Sequence, residues 1–100
     1  MGGYMKNKLY EKLIRKVERE ADGFSYTYEL TCREAGEVAA FGLPLYSIHI
    51  SLCDPDGCHR QSTAKDVFAN LSKAESFFDK IVRNLATPID LMYVLEDEIG

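Results

Sequence analysis

The hundred residues contain no apolar run near the ~20 needed to cross a bilayer, and the longest near the start is the pair Leu13-Ile14. A membrane-spanning helix is thereby excluded. The opening residues, Met1-Gly2-Gly3-Tyr4-Met5-Lys6, lack the apolar stretch of a secretory leader, so the cytoplasm is the expected compartment. Cysteines number three, Cys32, Cys53 and Cys58, and an odd count without a leader argues for thiols over a disulfide framework. Also missing are a phosphate-binding loop, a dinucleotide glycine fingerprint, an HExxH helix, a Cys-x-x-Cys pair and a Gly-x-Ser-x-Gly elbow. No cofactor and no small-molecule substrate is therefore expected. Tryptophan is absent too, which excludes nothing.

Apolar residues make up 46 % of the chain and charged residues 28 %, values that favour a packed core over disorder. A chain of this length forms one domain, 1–100, with little stability to spare, so self-association is an open route. The net charge of −4 is unevenly spread. Six basic side chains, Lys6, Lys8, Lys12, Arg15, Lys16 and Arg19, lie in the first twenty residues against three acids. The rest of the chain is acidic, which disfavours nucleic-acid binding by the body.

In residues 4–22 the apolar positions Leu9, Tyr10, Leu13, Ile14, Val17 and Ala21 follow the spacing of one helix face. Glu11 and Arg15 stand i, i+4 apart, and Asp22-Gly23 reads as a C-terminal cap. A helix is predicted here. From Phe24 to Cys32 strict alternation predicts a half-buried strand with Phe24, Tyr26, Tyr28, Leu30 and Cys32 inward. These aromatics could imitate a base-stacking sheet, but they lie on the core face without accompanying Arg or Lys. Val38 to Phe41 could add a further strand or a helical turn.

A second alternating strand runs from Leu45 to Cys53, followed by Asp54-Pro55-Asp56-Gly57. Proline presets the first central position, aspartate suits the second and glycine accepts positive φ, which describes a type I turn closed by a G1 bulge. Cys58 to about Ala64 is then an antiparallel partner, polar enough for an edge. With the bulge, Cys53 lies opposite His59 on the face away from the core, and Cys58 turns to the other face. The apolar connector Val67-Phe68-Ala69-Asn70-Leu71 fits either state.

Ser72 and Glu75 form a capping-box pattern ahead of Ala74, Phe77, Phe78, Ile81, Val82 and Leu85, which repeat with helical period to about Ala86. Thr87-Pro88-Ile89-Asp90 opens another helix: threonine as N-cap, proline at N1, aspartate at N3 facing the positive dipole end. Ile89, Met92, Tyr93, Leu95 and Ile99 are assigned to its inward stripe. The fold class is α+β: an N-terminal helix over 4–22, an antiparallel meander of three or four strands over 24–64, and a helical pair over 72–99 on one sheet face.

His49, Cys53, Cys58 and His59 are the metal-capable residues of the hairpin. In the bulged register no three share a face within reach, since His49 lies roughly 13 Å along the strand from Cys53 and zinc ligands must sit about 2 Å from the metal. Cys53, Cys58 and His59 therefore carry only an alternative reading, a metal- or thiol-dependent protein. Pairing Cys53 with His59 as nucleophile and base lacks an evident cleft, and Ser51 or Ser62 with His49 is weaker still. Glu96-Asp97-Glu98 fan around a helix end and oppose its negative dipole, which a basic partner would relieve. The basic N-terminal helix of a neighbouring copy fits that role.

The segments Tyr46-Ser47-Ile48-His49-Ile50, Asn70-Leu71-Ser72 and Thr87-Pro88-Ile89-Asp90-Leu91-Met92-Tyr93-Val94-Leu95-Glu96-Asp97 resemble a short uncharacterised bacterial family, a domain of unknown function from Gram-positive anaerobes. The resemblance spans about residues 24–99. Ser47 and Asp90 depart from the family's usual glycine and histidine. It implies a small cytoplasmic bacterial protein and carries over no activity and no functional residue. The expected function is thus a non-enzymatic protein-interaction or regulatory domain, with self-association among the options. Its candidate contacts are Lys12, Arg15 and Lys16 on one side and Glu96, Asp97 and Glu98 on the other. Nucleic-acid contact through Lys12, Arg15 and Lys16 is the third reading.

Overall fold

Alternating side chains need a partner strand on each buried edge, and the chain meets that need in the simplest order. A computed structural model describes residues 11–33 and 44–99. Four strands, β1 (Glu11–Ala21), β2 (Phe24–Arg33), β3 (Leu45–Cys53) and β4 (His59–Phe68), form an antiparallel sheet in chain order. Two helices follow, α1 (Leu71–Arg83) and α2 (Pro88–Ile99). The α+β class, the helical pair and the edge position of β4 agree with the sequence reading. The proposed strand over 38–41 lies outside the described residues, as does the 4–10 portion of the expected first helix.

The rest of that expected helix is a strand. Asp22 (φ 54) and Gly23 (φ 86) are both left-handed, and Ala21 pairs directly with Phe24, so Asp-Gly is a two-residue hairpin turn and not a helix cap. The helical spacing of apolar residues is incidental to β1. Ile14 is the extra residue of a bulge between Leu13 and Arg15, and beyond it Arg15, Val17, Arg19 and Ala21 share the core side. Arg15 does not pair with Glu11 but reaches Asp79 on α1 at 2.8 Å. Its guanidinium lies 4.9 Å from the Phe78 ring centroid. Arg19 donates to the Val82 carbonyl. Such inward charges on an edge strand also discourage edge-to-edge pairing.

Gly23 has a second constraint, since a Cβ there would stand 3.0 Å from Pro55 Cγ. Gly23→Ala should therefore cost about 1–2 kcal/mol, the penalty of a left-handed L-residue. A lowered urea midpoint with unchanged slope would show it.

The second hairpin has the anticipated geometry. Gly57 sits at φ 90, Gly57 N donates to the Asp54 carbonyl, Asp54 N donates to the Cys58 carbonyl, and Cys53 faces His59. Asp54 Oδ1 secures the turn by accepting from the backbone N–H groups of Asp56 and Cys58. β4 runs further than its polar start suggests. Asp66, at φ 53, interrupts the register, and Phe68 returns to the core opposite Tyr46. Asp66 N donates to Ser47 Oγ, while its carboxylate meets Arg33 at 2.7 Å across the intervening strand.

One sheet face is apolar: Tyr28, Leu30, Cys32, Tyr46, Ile48, Ile50, Ala64 and Phe68 are buried there. α1 supplies Ala74, Phe77, Phe78 and Ile81 beneath β2 and β3, and α2 supplies Leu91 and Leu95 chiefly beneath β4. α1 begins earlier than the Ser72 box predicts, because Asn70 Oδ1 caps Lys73 N. It ends in a Schellman pair, Ala86 N to Ile81 O and Leu85 N to Val82 O, with Leu85 left-handed at φ 53. The opposite face of the sheet is polar, with Lys16, Glu29, His49 and Thr63 aligned across the four strands.

Candidate interaction surface

The start of α2 follows the sequence closely. Asp90 N donates to Thr87 Oγ1, and Thr87 N donates to Asp90 Oδ2, a reciprocal capping box with Pro88 inside the first turn. The rotation of the helix departs from expectation. Pro88, Leu91 and Leu95 are buried and Val94 packs beside them, whereas Ile89, Met92 and Tyr93 face outward. Apolar residues occur on both sides of this helix, so periodicity alone does not select the buried side. The α1–α2 turn decides it, carrying buried Ala86 and Pro88 into the core.

Outward exposure is large: 64 % for Ile89, 51 % for Met92 and 70 % for Tyr93. These residues stand at i, i+3 and i+4, one continuous apolar stripe. Asp90, Glu96 and Asp97 rim the stripe, and α2 contains no basic residue. A shallow depression beside the stripe is lined by Lys80, Asn84, Tyr93, Val94, Glu96 and Asp97. Glu98 is engaged within the chain by Lys80 at 3.3 Å. The acidic end of the helix still opposes its own dipole.

The basic candidates lie at the other edge of the sheet. Arg15 is held by Asp79, and Lys16 meets Glu18 at 3.7 Å in an exposed pair. Between Lys12 and Lys16, Leu13 is 55 % and Ile14 37 % exposed, the second apolar patch of the described surface. Its signal in the sequence was the charge excess around it, hidden by the helical reading.

The hairpin thiols do not converge with the histidines. Cys53 and His59 are opposed, but Cys58 lies with Phe24, Leu52, Asp54 and Arg60 in a separate depression. His49 sits between Thr31 and Thr63, with Nε2 3.3 Å and Nδ1 2.9 Å from their hydroxyls. Among the described residues no three His, Cys, Asp or Glu side chains gather as a metal group. No helix among them is long and apolar enough to cross a membrane.

Residues 7–100 match the model of the Family of unknown function (DUF6514), a span that takes in β1 as well as the segments on which the resemblance rests. No curated protein and no solved structure gives a significant match.

Proposed function

Because the chain belongs to DUF6514, which brings no activity with it, its role must be read from its surface, and we propose that it is a non-catalytic protein-interaction domain docking through the outer face of α2. The carrying observation is the stripe of Ile89, Met92 and Tyr93 with Asp90, Glu96 and Asp97 at its margins, on a helix that contains no basic residue. Exposed aromatic and thioether side chains supply contact area, and the rim selects for charge. The partner is therefore a segment that presents apolar side chains among lysines and arginines. Three cysteines without a disulfide suit such a domain in a reducing compartment.

A synthetic amphipathic helix of leucine and lysine is a direct probe. Titrated into labelled protein, it should shift the amide resonances of residues 89–97, with affinity falling as salt rises. Met92→Ser should weaken it roughly tenfold, the loss of about 1.5 kcal/mol of apolar burial. Shifts centred on the polar sheet face, or equal binding of a leucine-glutamate peptide, would refute the docking surface.

A further inference from the structure

The protein carries, at its other edge, a patch with the chemistry that α2 calls for. Leu13 and Ile14 are exposed at the β1 bulge, and Lys16 stands beside Leu13 on the sheet face away from the core, Leu13 opposite Thr31 and Lys16 opposite Glu29. The two patches match in kind: apolar centre against apolar centre, cationic flank against the Asp90, Glu96 and Asp97 rim. Resting on the docking surface proposed above, we infer that the occupant of α2 is a second copy of this chain, seated through its β1 bulge. Pairing α2 with α2 of another copy is disfavoured, because it would bring two acidic rims together.

Geometry fixes the form of the assembly. β1 is one edge of the sheet, and α2 lies beneath β4 at the other. Each copy therefore offers a donor patch on one side and an acceptor patch on the opposite side. The contact is head-to-tail, so growth continues past a dimer unless the rotation between copies closes a ring. Lys16 would exchange its exposed contact with Glu18 for the rim of the neighbouring α2. The acidic last turn of that helix gains a second cation besides Lys80.

Sedimentation of the full chain over a wide concentration range tests this. The wild type should form species larger than a monomer that dissociate as salt is raised. Leu13→Ser and Met92→Ser each remove one exposed side chain and should each weaken association roughly tenfold. Mixing the two variants restores one intact contact, between β1 of the Met92→Ser copy and α2 of the Leu13→Ser copy, so a 1:1 complex that grows no further is expected. Circular dichroism of each variant separates loss of contact from loss of fold. A mixture no more associated than its components, or a Leu13→Ser protein that assembles like the wild type, overturns the inference. A wild type that stays monomeric at every concentration yet binds the leucine-lysine peptide at α2 overturns self-association alone. A monomer that ignores the peptide removes both readings.

Discussion

Phe78→Ala is expected to remove about 3–5 kcal/mol of stability, the range for truncating a fully buried aromatic side chain. Phe78 has no solvent exposure and belongs to the layer that α1 presents to the sheet, beside Phe77 and Ile81. Its ring also meets Arg15 of the edge strand, whose guanidinium is fixed by Asp79 on the same helix. One deletion therefore opens a cavity under β2 and loosens the tie between β1 and α1. In a domain whose whole stability is about 5–15 kcal/mol, that loss brings unfolding close to ambient conditions. Chemical denaturation should show a midpoint collapse, and Asp79→Ala, which breaks only the exposed ion pair, should cost under about 1 kcal/mol. A Phe78→Ala protein with a nearly native midpoint would show that the α1–sheet contact is not the core of the fold.

Raising the pH should destabilise the protein steeply above about pH 10, where a tyrosine of the unfolded chain releases its proton. Tyr28 is fully buried, and its hydroxyl donates to the Ala86 carbonyl at 2.8 Å. Burial pushes this phenol well above its ordinary range, and Tyr26 and Asp90 add to the effect while Arg19 opposes it. Below pH 10 both states hold the proton and Tyr28 leaves stability independent of pH. Above it the unfolded chain loses a proton that the native state keeps, so stability falls by about 1.4 kcal/mol per pH unit until the native phenol itself ionises. Tyr28→Phe should be less stable at neutral pH by about 1–2 kcal/mol, since the Ala86 carbonyl loses its donor. The same variant should show a shallower alkaline decline, so the two stability curves converge as pH rises. Parallel curves across pH 10–12 would rule out Tyr28 as the source.

Where local chemistry decides conformation, the sequence could be read almost residue by residue. Asp54-Pro55-Asp56-Gly57 specified its turn and hence the pairing of Cys53 with His59, and Thr87 with Asp90 specified the start of α2. Where two structures share one pattern, the chain alone did not choose. Leu13, Val17 and Ala21 fit a helix as well as a strand, and two arginines on the core side of β1 masked its alternation. Asp22-Gly23 was the decisive signal, since two consecutive left-handed residues make a hairpin where a helix cap needs one. Phe68 was unreadable because the irregularity at Asp66 shifts the phase of β4. The exposed stripe of α2 was missed for a related reason, a helix apolar on both sides whose rotation is set by tertiary packing. The acidic rim was legible, but its apolar centre emerged only once Leu91 and Leu95 were placed inside.

Strand order equal to chain order has a consequence for how the molecule comes into being. Each strand meets its partner as soon as the next stretch of chain is synthesised, and the two-residue Asp22-Gly23 turn makes the first closure cheap in entropy. The inner face of the nascent sheet, with Tyr28, Leu30, Ile48, Ile50 and Ala64, has no cover until the chain beyond Leu71 emerges and coils. During synthesis a finished sheet therefore waits with its oily side bare, the form in which growing chains stick to one another. Because both helices follow the sheet in the chain, the pace of translation through α1 and α2 sets how long that face stays bare.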